Sequence, residues 1–385
     1  MSFIFNMSSL GKKRIFLKVF FFLSGFLFAS WASRIPTIKT SLDLNDAQLG
    51  TLLFILPISS LLGLPFSSVL ISRFNTKVPI LVACIFQAIA LIGIGYANNI
   101  ILLGFSLFMF AFSMRILNIG VNTQSVNLQK LYEKPIIGSF HGLWSVGGIA
   151  GAGLTSLLLA FNISIGTHLL IVGILGLIMA YFSYEHLLTD DRSASGNKFI
   201  LGKPDPYIVC LGLLTFFAAI CEGGMFDWSG IYFKEVLKTP IFTYGYLIFV
   251  VFMAAFRFIS DFIVHKIGMA ANYILSACLI ITGILLAIIF PNIYTGLIGF
   301  AMVGMGTASI FPMTLGLAGK STKYSPGMAI SIVATYTIFG MLVGPPLIGY
   351  LSHAFNLRVS FILFAFSGFM LIPISQILFK IQSNK

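Results

Sequence analysis

The chain has 385 residues, of which 58% are hydrophobic and 9% are charged, and its formal net charge is +12. Soluble globular proteins carry about 25% charged residues, so this chain has too few charges to cover a water-facing surface. We therefore expect most of the chain to lie in a lipid bilayer. A membrane span with its connection needs about 30 residues, so the length accommodates about twelve spans and no separate soluble domain.

Apolar runs bounded by turn residues or charges predict an all-α polytopic membrane protein. The twelve predicted spans are residues 15–33, 48–71, 78–96, 100–124, 137–160, 166–186, 207–231, 243–265, 271–290, 295–318, 327–353 and 359–379. The longest hydrophilic stretch follows the sixth span and predicts a cytoplasmic linker, residues 187–206. It divides the chain into an N-terminal six-helix bundle, residues 1–186, and a C-terminal six-helix bundle, residues 207–385. All four cysteines lie in apolar runs without C-x-x-C spacing, so neither a metal nor a cofactor is expected.

The distribution of Lys and Arg over the connections predicts the orientation in the membrane. Of the 23 basic residues, 16 fall on the side that carries both termini and 5 on the opposite side, while Arg115 and Arg257 lie inside spans. Short loops rich in Lys and Arg stay in the cytoplasm. We therefore expect a multi-pass protein of a bacterial inner membrane with both termini in the cytoplasm. The basic net charge then needs no nucleic acid to explain it.

A shift of 193 to 197 residues brings features of the first half into register with the second half. The matched segments are Ser30-Trp31 with Asp227-Trp228, Ser72–Asn75 with His265–Gly268, and Gly147 and Gly151 with Gly340 and Gly344. Three matches in the same order predict an internal repeat. Two homologous halves around a central cavity are the architecture of alternating-access transporters, and the glycines of the fifth span predict a close helix-packing surface.

A short motif follows the second span and reads Ser68-Val-Leu-Ile-Ser72-Arg73-Phe74-Asn75-Thr76-Lys77. In this motif, and over essentially its whole length, the chain resembles the major facilitator superfamily, whose signature here is G-x-x-x-D-R-x-G-x-[RK]. Arg73 and Lys77 are kept, whereas both glycines and the acidic residue are replaced. The resemblance implies two pseudo-symmetric six-helix bundles and a cytoplasmic gate that involves Arg73, Lys77 and, in the second-half copy of the motif, Lys266.

At a finer level the chain resembles a bacterial inner-membrane branch of the superfamily that is loosely related to fucose-type sugar permeases. The segments that carry this resemblance are Ala29–Pro36, Phe140-His141-Gly142, Glu222-Gly223, Asp227-Trp228 and Gly344–Tyr350. The resemblance implies a monomeric transporter of a small molecule and says little about which molecule.

The fourth span carries a polar stripe along one helical face. Its members, at steps of three and four residues, are Arg115, Asn118, Asn122, Ser125 and Gln129. Lipid does not tolerate such a face, so the stripe predicts either a polar seam between helices or the lining of a wet cavity. In the second case Arg115 attracts an anionic or hydroxyl-rich solute or pairs with Glu222, and Asn118 and Asn122 bind the solute.

The fifth span adds His141 and Trp144 to the predicted substrate site. In the superfamily that this chain resembles, the fifth span lines the cavity, which favours solute binding by His141. The alternative is a histidine that is satisfied by neighbouring helices and has no ligand. The remaining Phe and Met residues are expected in the core or facing lipid.

Few of the 11 acidic residues lie inside or near the predicted spans: Glu222, Asp227 and Asp261. An ionisable group at membrane depth costs about 3 kcal/mol or more and is by default functional. Glu222 lies about 22 Å from the cytoplasmic end of the seventh span at 1.5 Å per residue. Because burial favours the neutral form of a carboxyl group, Glu222 is predicted to bind and release a proton. Asp227 lies nearer the outer edge, where we expect water to reach it, and is predicted as a second proton-coupling or gate residue.

Arg257 and Asp261 are four residues apart on the eighth span and share a helical face. The pair neutralises itself, and this predicts a structural or gating latch near the cytoplasmic side rather than a substrate contact.

These features favour a secondary transporter that takes up a small polar solute, such as a sugar or a sugar derivative, together with protons. The alternative is a proton-coupled exporter of drugs or metabolites. Exporters of this superfamily often carry G-P-x-x-G-G in the fifth span, and the chain has Gly147-Gly148-Ile-Ala-Gly151-Ala-Gly153 without the proline. A membrane enzyme or receptor is disfavoured, because no long loop and no paired catalytic residues are present.

Overall fold

The computed structural model of the chain describes residues 9–133, 136–189 and 205–383, with the backbone alone at positions 9, 68, 72, 261, 326 and 327. The described residues form helices and no strands. The helices are α1 (Ser9–Ala32), α2 (Ile35–Ser41), α3 (Asp46–Leu53), α4 (Ile55–Arg73), α5 (Lys77–Tyr96), α6 (Ile100–Gln129), α7 (Ile137–Ala160), α8 (Ile165–Tyr184), α9 (Pro206–Glu235), α10 (Tyr244–Ile267), α11 (Met269–Ile289), α12 (Ile293–Thr307), α13 (Ile310–Ala318), α14 (Pro326–Ala354), α15 (Leu357–Ser360) and α16 (Ile362–Ser383).

Each of the twelve predicted spans falls on one long helix or on two consecutive helices. Within the described residues, 11 helical segments are long and apolar enough to cross a membrane. The eighth predicted span corresponds to α10, whose apolar part, Tyr244–Ser260, is shorter than the others. The chain is thus an all-helical, multi-pass membrane protein, as the sequence predicts.

Prolines explain why two of the spans are divided. Pro57 is the third residue of α4 and Pro312 is the third residue of α13. Proline has no N–H, so neither can donate the helical bond to the carbonyl four residues earlier. In the second span one helix therefore ends at Leu53 and the next begins at Ile55. In the tenth span one helix ends at Thr307 and the next begins at Ile310.

Two compact units make up the fold. The first contains Met1–Thr37 and Ile55–Asn197, and the second contains Ile38–Phe54 and Lys198–Lys385. In the first unit α1 packs on α7 and α8, α4 and α5 pack on α6, and α5 packs on α8. In the second unit α9 packs on α14 and α16, α10 and α11 pack on α12, and α11 packs on α16. The pairs correspond span by span, which confirms the predicted internal repeat.

Glycines at matched positions show the register of the repeat. In the first unit a Cβ atom on Gly147 would collide with the backbone carbonyl of Phe22 on α1. In the second unit a Cβ atom on Gly340 would collide with the carbonyl of Phe216 on α9. Close approach of two backbones requires small residues in membrane helices. The predicted glycine packing surface is therefore confirmed at Gly147 and Gly151 and recurs in the second unit, whereas Gly153 has nothing within 4 Å and is not part of it.

One segment of the predicted N-terminal bundle, residues 1–186, groups differently in the structure. Ile38–Phe54 belongs to the second unit because α3 packs on α14. A Cβ atom on Gly50 would lie only 3.0 Å from the Cα atom of Gly349, so the contact depends on two glycines. The predicted linker, residues 187–206, lies mostly outside the described residues, and the division of the chain at that point stays a prediction.

Candidate functional site

In the first unit Arg115 lies at the N-terminal end of the polar stripe. Its Nε donates to the Ser60 Oγ on α4 at 2.7 Å, and its Cβ lies 3.1 Å from where a Cβ atom of Gly63 would be. The ion pairs of the described residues do not include Arg115. A partly buried guanidinium in a membrane helix thus has a hydroxyl partner and no carboxylate from the described part of its own unit.

The rest of the stripe is bonded within the unit. The Ser24 Oγ on α1 donates to the Asn118 Oδ1 at 2.9 Å. The Asn122 Nδ2 donates to the backbone carbonyl of Asn118 at 2.7 Å. All five members of the stripe are buried or half-buried, as expected for a face that avoids lipid. Asn118 therefore belongs to a polar seam with α1, while Asn122 bonds the backbone of its own helix.

The predicted residues of the fifth span lie on α7. His141 is exposed, and its ring lies edge-on to Phe21 of α1, with 5.4 Å between the ring centres. Trp144 is half-buried, and its backbone carbonyl lies against Gly25 of α1. His141 is thus exposed on α7, whereas the backbone of Trp144 belongs to the packing of α7 on α1.

The second unit contains a partly buried ion pair that the sequence did not predict. The Arg257 Nη2 on α10 lies 3.2 Å from the Glu222 Oε1 on α9. Glu222 is 6% exposed, and its Oε2 atom is buried without a hydrogen-bond partner in the described residues. The side chain of Asp261 is not described, so its pairing with Arg257 stays a prediction. Glu222 itself is paired with Arg257.

Asp227 is more buried than its sequence position suggested. It is 8% exposed, so packing covers most of the side chain, and its contact with water stays a prediction. The reason is the packing of α10: Tyr246 lies 5.8 Å from the ring of Phe226, and Gly245 packs against the backbone of Ser229. The beginning of α10 therefore covers this part of α9.

At one end of the second unit a single lysine joins two carboxylates. The Lys39 Nζ lies 2.5 Å from the Asp46 Oδ1 and 2.5 Å from the Glu235 Oε1. Asp46 also accepts a hydrogen bond from the Ser352 hydroxyl of α14. We call Lys39, Asp46, Glu235 and Ser352 the latch cluster. It fastens α2 and α3 to α9 and α14.

Sequence reasoning missed the latch cluster because it treated Lys39, Asp46 and Glu235 as loop residues. Lys39 and Glu235 are 196 positions apart, and no local pattern joins them. It also missed Arg34, which is 1% exposed and donates to the His168 Nδ1 at 3.1 Å and to the Ile163 carbonyl at 3.0 Å. These contacts fasten the end of α1 to the α7–α8 connection.

The predicted gate residues lie at helix ends. Arg73 ends α4 and Lys266 lies in the last turn of α10, where a cation is favourable against the helix dipole. Lys77 begins α5 and its Nζ lies 4.3 Å from the ring centre of Tyr184 and 3.3 Å from the carbonyl oxygen of Glu185. Arg73 and Lys266 are exposed and occupy corresponding places in the two units.

Comparisons with known proteins agree with this architecture. Residues 270–383 match the family model of the Major Facilitator Superfamily. The chain is 29% identical over 352 residues, 91% of each chain, to an uncharacterized MFS-type transporter of Yersinia pestis. It is 28% identical over 345 residues, 88% of this chain and 83% of the relative, to the membrane protein MosC of Rhizobium meliloti.

Solved structures show the same fold. The crystal structure of the nucleoside transporter NupG has a TM-score of 0.77 and 16% identity, with 95% of this chain and 99% of that chain covered. A bacterial homolog of the human lysosomal transporter Spinster, inward-facing and unoccupied, has a TM-score of 0.75 and 15% identity, with 97% and 98% covered. The chain therefore has the major facilitator fold, and its sequence is similar to the family model over residues 270–383 and to an MFS-type transporter.

Proposed function

We propose that this major facilitator transporter takes up a small polar solute, such as a sugar or a sugar derivative, together with protons by alternating access. It works as a monomer in a bacterial inner membrane with both termini in the cytoplasm. The observation that carries the proposal is the set of ionisable groups at membrane depth. Such groups are costly in a bilayer and mark solute or ion pathways.

The solute site is assigned to the first unit. Arg115, Asn118, Asn122, His141 and Trp144 supply hydrogen-bond donors, acceptors and an aromatic surface. Arg115 has no described carboxylate partner, so a solute with hydroxyl or anionic groups is suited to it. The loose resemblance to fucose-type sugar permeases supports the same class of solute, and nucleosides, which NupG transports, are hydroxyl-rich solutes worth testing.

The coupling site is assigned to the second unit. Glu222 and Asp227 are both less than one-tenth exposed, and among described residues one cation, Arg257, is paired with them. Two buried carboxylates with one cation hold one charge too many, and a proton removes it. This imbalance supports coupling to protons.

The gate is assigned to residues at the cytoplasmic ends of the helices. Arg73, Lys77 and Lys266 are proposed to form and release contacts there as the transporter alternates. The latch of Arg257 with Asp261 on α10 stays a prediction, since Arg257 contacts Glu222 in the structure. The excess of Lys and Arg on one side supports this assignment of the sides.

Counterflow in proteoliposomes tests the proposal. Vesicles that contain the protein are loaded in turn with unlabelled sugars, sugar acids and nucleosides, and the entry of the same labelled solute is measured. At least one hydroxyl-rich solute is expected to exchange, and Arg115→Gln is expected to abolish the exchange. Lys130→Gln, at an exposed position beside Asn127, is the matched control and is expected to leave exchange unchanged.

A pH gradient then distinguishes uptake from export. Proton-coupled uptake predicts that the solute accumulates on the cytoplasmic side when the opposite side of the membrane is acidic. Accumulation in the opposite direction would instead establish the proton-coupled exporter, and failure of every solute in the panel to exchange would refute the proposed solute class.

A further inference from the structure

We infer that Asp227 is the carboxyl group that binds and releases the coupling proton, while Glu222 remains ionised in a fixed pair with Arg257. This inference rests on the proposed coupling to protons and assigns its site. It reverses the order that depth along the seventh span suggests, because depth alone ranks Glu222 first.

Glu222 is held in its charged form by a direct contact. The Arg257 Nη2 lies 3.2 Å from the Glu222 Oε1, and the two charges cancel. Protonation of Glu222 would give up this contact, in which the Glu222 side chain is 8% exposed and the Arg257 side chain 32% exposed. A cation at this distance favours the charged form of a carboxyl group, so Glu222 takes up a proton less readily than an unpaired carboxyl group while the pair is intact.

Asp227 has no such contact. It is 8% exposed, and the described residues place no Lys, Arg or His within ion-pair distance of it. A charged carboxyl group without a counter-ion is unstable in a low-dielectric interior, and the group stays neutral instead. The conformation in the structure is therefore the one in which Asp227 carries the proton.

The described residues of the helices packed on α9 supply no second cation for Asp227. Of these helices, α13 has no titratable group and α12 has Tyr294. From α10 the titratable groups are Tyr246, which lies within electrostatic range of both carboxyl groups, and Arg257, which is taken by Glu222. Two uncharged side chains pack on α9 close to Asp227. Phe364 of α16 lies against Gly224, and Met341 of α14 lies against Gly223. Tyr336 of α14 lies against Gly212, about 22 Å from Asp227 at 1.5 Å per residue.

The surroundings also favour a proton over a sodium ion. Hard cations are held by several oxygen ligands at once. Next to Asp227 in the chain, Trp228 is fully buried, and its Nε1, which is without a partner in the described residues, is a donor that cannot bind a cation. Tyr246 of α10 contributes a phenol oxygen within electrostatic range, and one phenol with one carboxyl group makes a poor sodium site.

Infrared difference spectroscopy of the full-length protein in liposomes tests this assignment without a known solute. A neutral carboxyl group in a dry environment gives a C=O stretching band that shifts in D₂O. We expect such a band at neutral pH in the parent protein and in Glu222→Gln, and its loss in Asp227→Asn. The band is also expected to be the same in sodium chloride and in choline chloride.

A second variant keeps the test decisive if Asp227→Asn does not fold. Arg257→Gln removes the counter-ion of Glu222, so a second carboxyl band is expected, and it should disappear in the double variant Arg257→Gln/Glu222→Gln. The absence of any band from the parent, or a band lost in Glu222→Gln and kept in Asp227→Asn, would overturn the inference. So would a band that sodium removes.

These outcomes are separate from those of the proposed function. A band assigned to Asp227 in a protein whose transport ignores pH would leave the protonation site in place and refute the coupling. Proton-driven transport in a protein without that band would support the coupling to protons and refute Asp227 as the protonation site.

Discussion

Removing the cation of the latch cluster is expected to loosen α2 and α3 from α9. In Lys39→Met the two carboxylates, each 2.5 Å from the lysine nitrogen, lose their shared partner. The side chains of Lys39 and Asp46 are 10% and 16% exposed, whereas Glu235 is 35% exposed. Loss of a partner costs about 3–5 kcal/mol for a buried pair and about 0–1 kcal/mol for an exposed pair.

Neither contact is fully buried: the one with Asp46 falls between the two limits, and the one with Glu235 lies at the exposed limit and adds little. We therefore expect a loss of about 2 kcal/mol, equal to a factor of about 30 in the population of the released segment, since 1.36 kcal/mol is tenfold. Leu49 on α3 is fully buried and reports the release. Leu49→Cys is introduced together with Cys278→Ser, because Cys278 is the exposed cysteine.

The assay is the rate of maleimide labelling of the purified protein in detergent. From the loss of about 2 kcal/mol, Lys39→Met is expected to raise the labelling rate about 30-fold. High salt screens the more exposed contact with Glu235, so the difference between Lys39→Met and the parent should be smaller at high salt. Lys39→Arg keeps the charge and is expected to stay near the parent rate. Equal labelling of Lys39→Met and the parent would refute the reasoning that the ion pairs hold the segment.

Three further predictions concern packing, orientation and the solute site. Gly147→Ala places a Cβ atom on the Phe22 carbonyl and is expected to lower the melting temperature, whereas Gly153→Ala, with nothing within 4 Å, is not; equal melting would contradict the packing argument. Reporter fusions after Lys385 and within residues 190–196 are expected to report the cytoplasm, and a periplasmic signal from either would overturn the orientation. Arg115→Lys keeps the charge but loses the fork of N–H donors, so counterflow should fall at least tenfold, and parent-level exchange would remove Arg115 from the solute site.

The membrane architecture could be predicted from the sequence because a lipid bilayer requires long apolar helices and places basic loops on one side. Apolar runs, loop charges and a repeat of 193 to 197 residues predict the spans and the two sets of packed helices. The glycine surface at Gly147 and Gly340 was predictable for the same reason, since close helices require small residues.

Contacts between distant parts of the chain were not predictable in this way. The pair of Glu222 with Arg257 and the latch cluster at Lys39 join residues that no short pattern relates. The burial of Asp227 depends on how α10 crosses α9, which its distance along the helix does not reveal. Depth along the helix, which the sequence shows, favours Glu222 as the site of the coupling proton. The contact of Glu222 with Arg257, which only the structure shows, favours Asp227 instead.

Uptake driven by a pH gradient tests the central claim most directly. Asp227→Asn is compared with the parent in proteoliposomes, with a solute found by counterflow. We predict that accumulation driven by the gradient is lost while exchange of labelled for unlabelled solute continues, because exchange does not require release of the proton. Accumulation in Asp227→Asn equal to that of the parent would contradict the account.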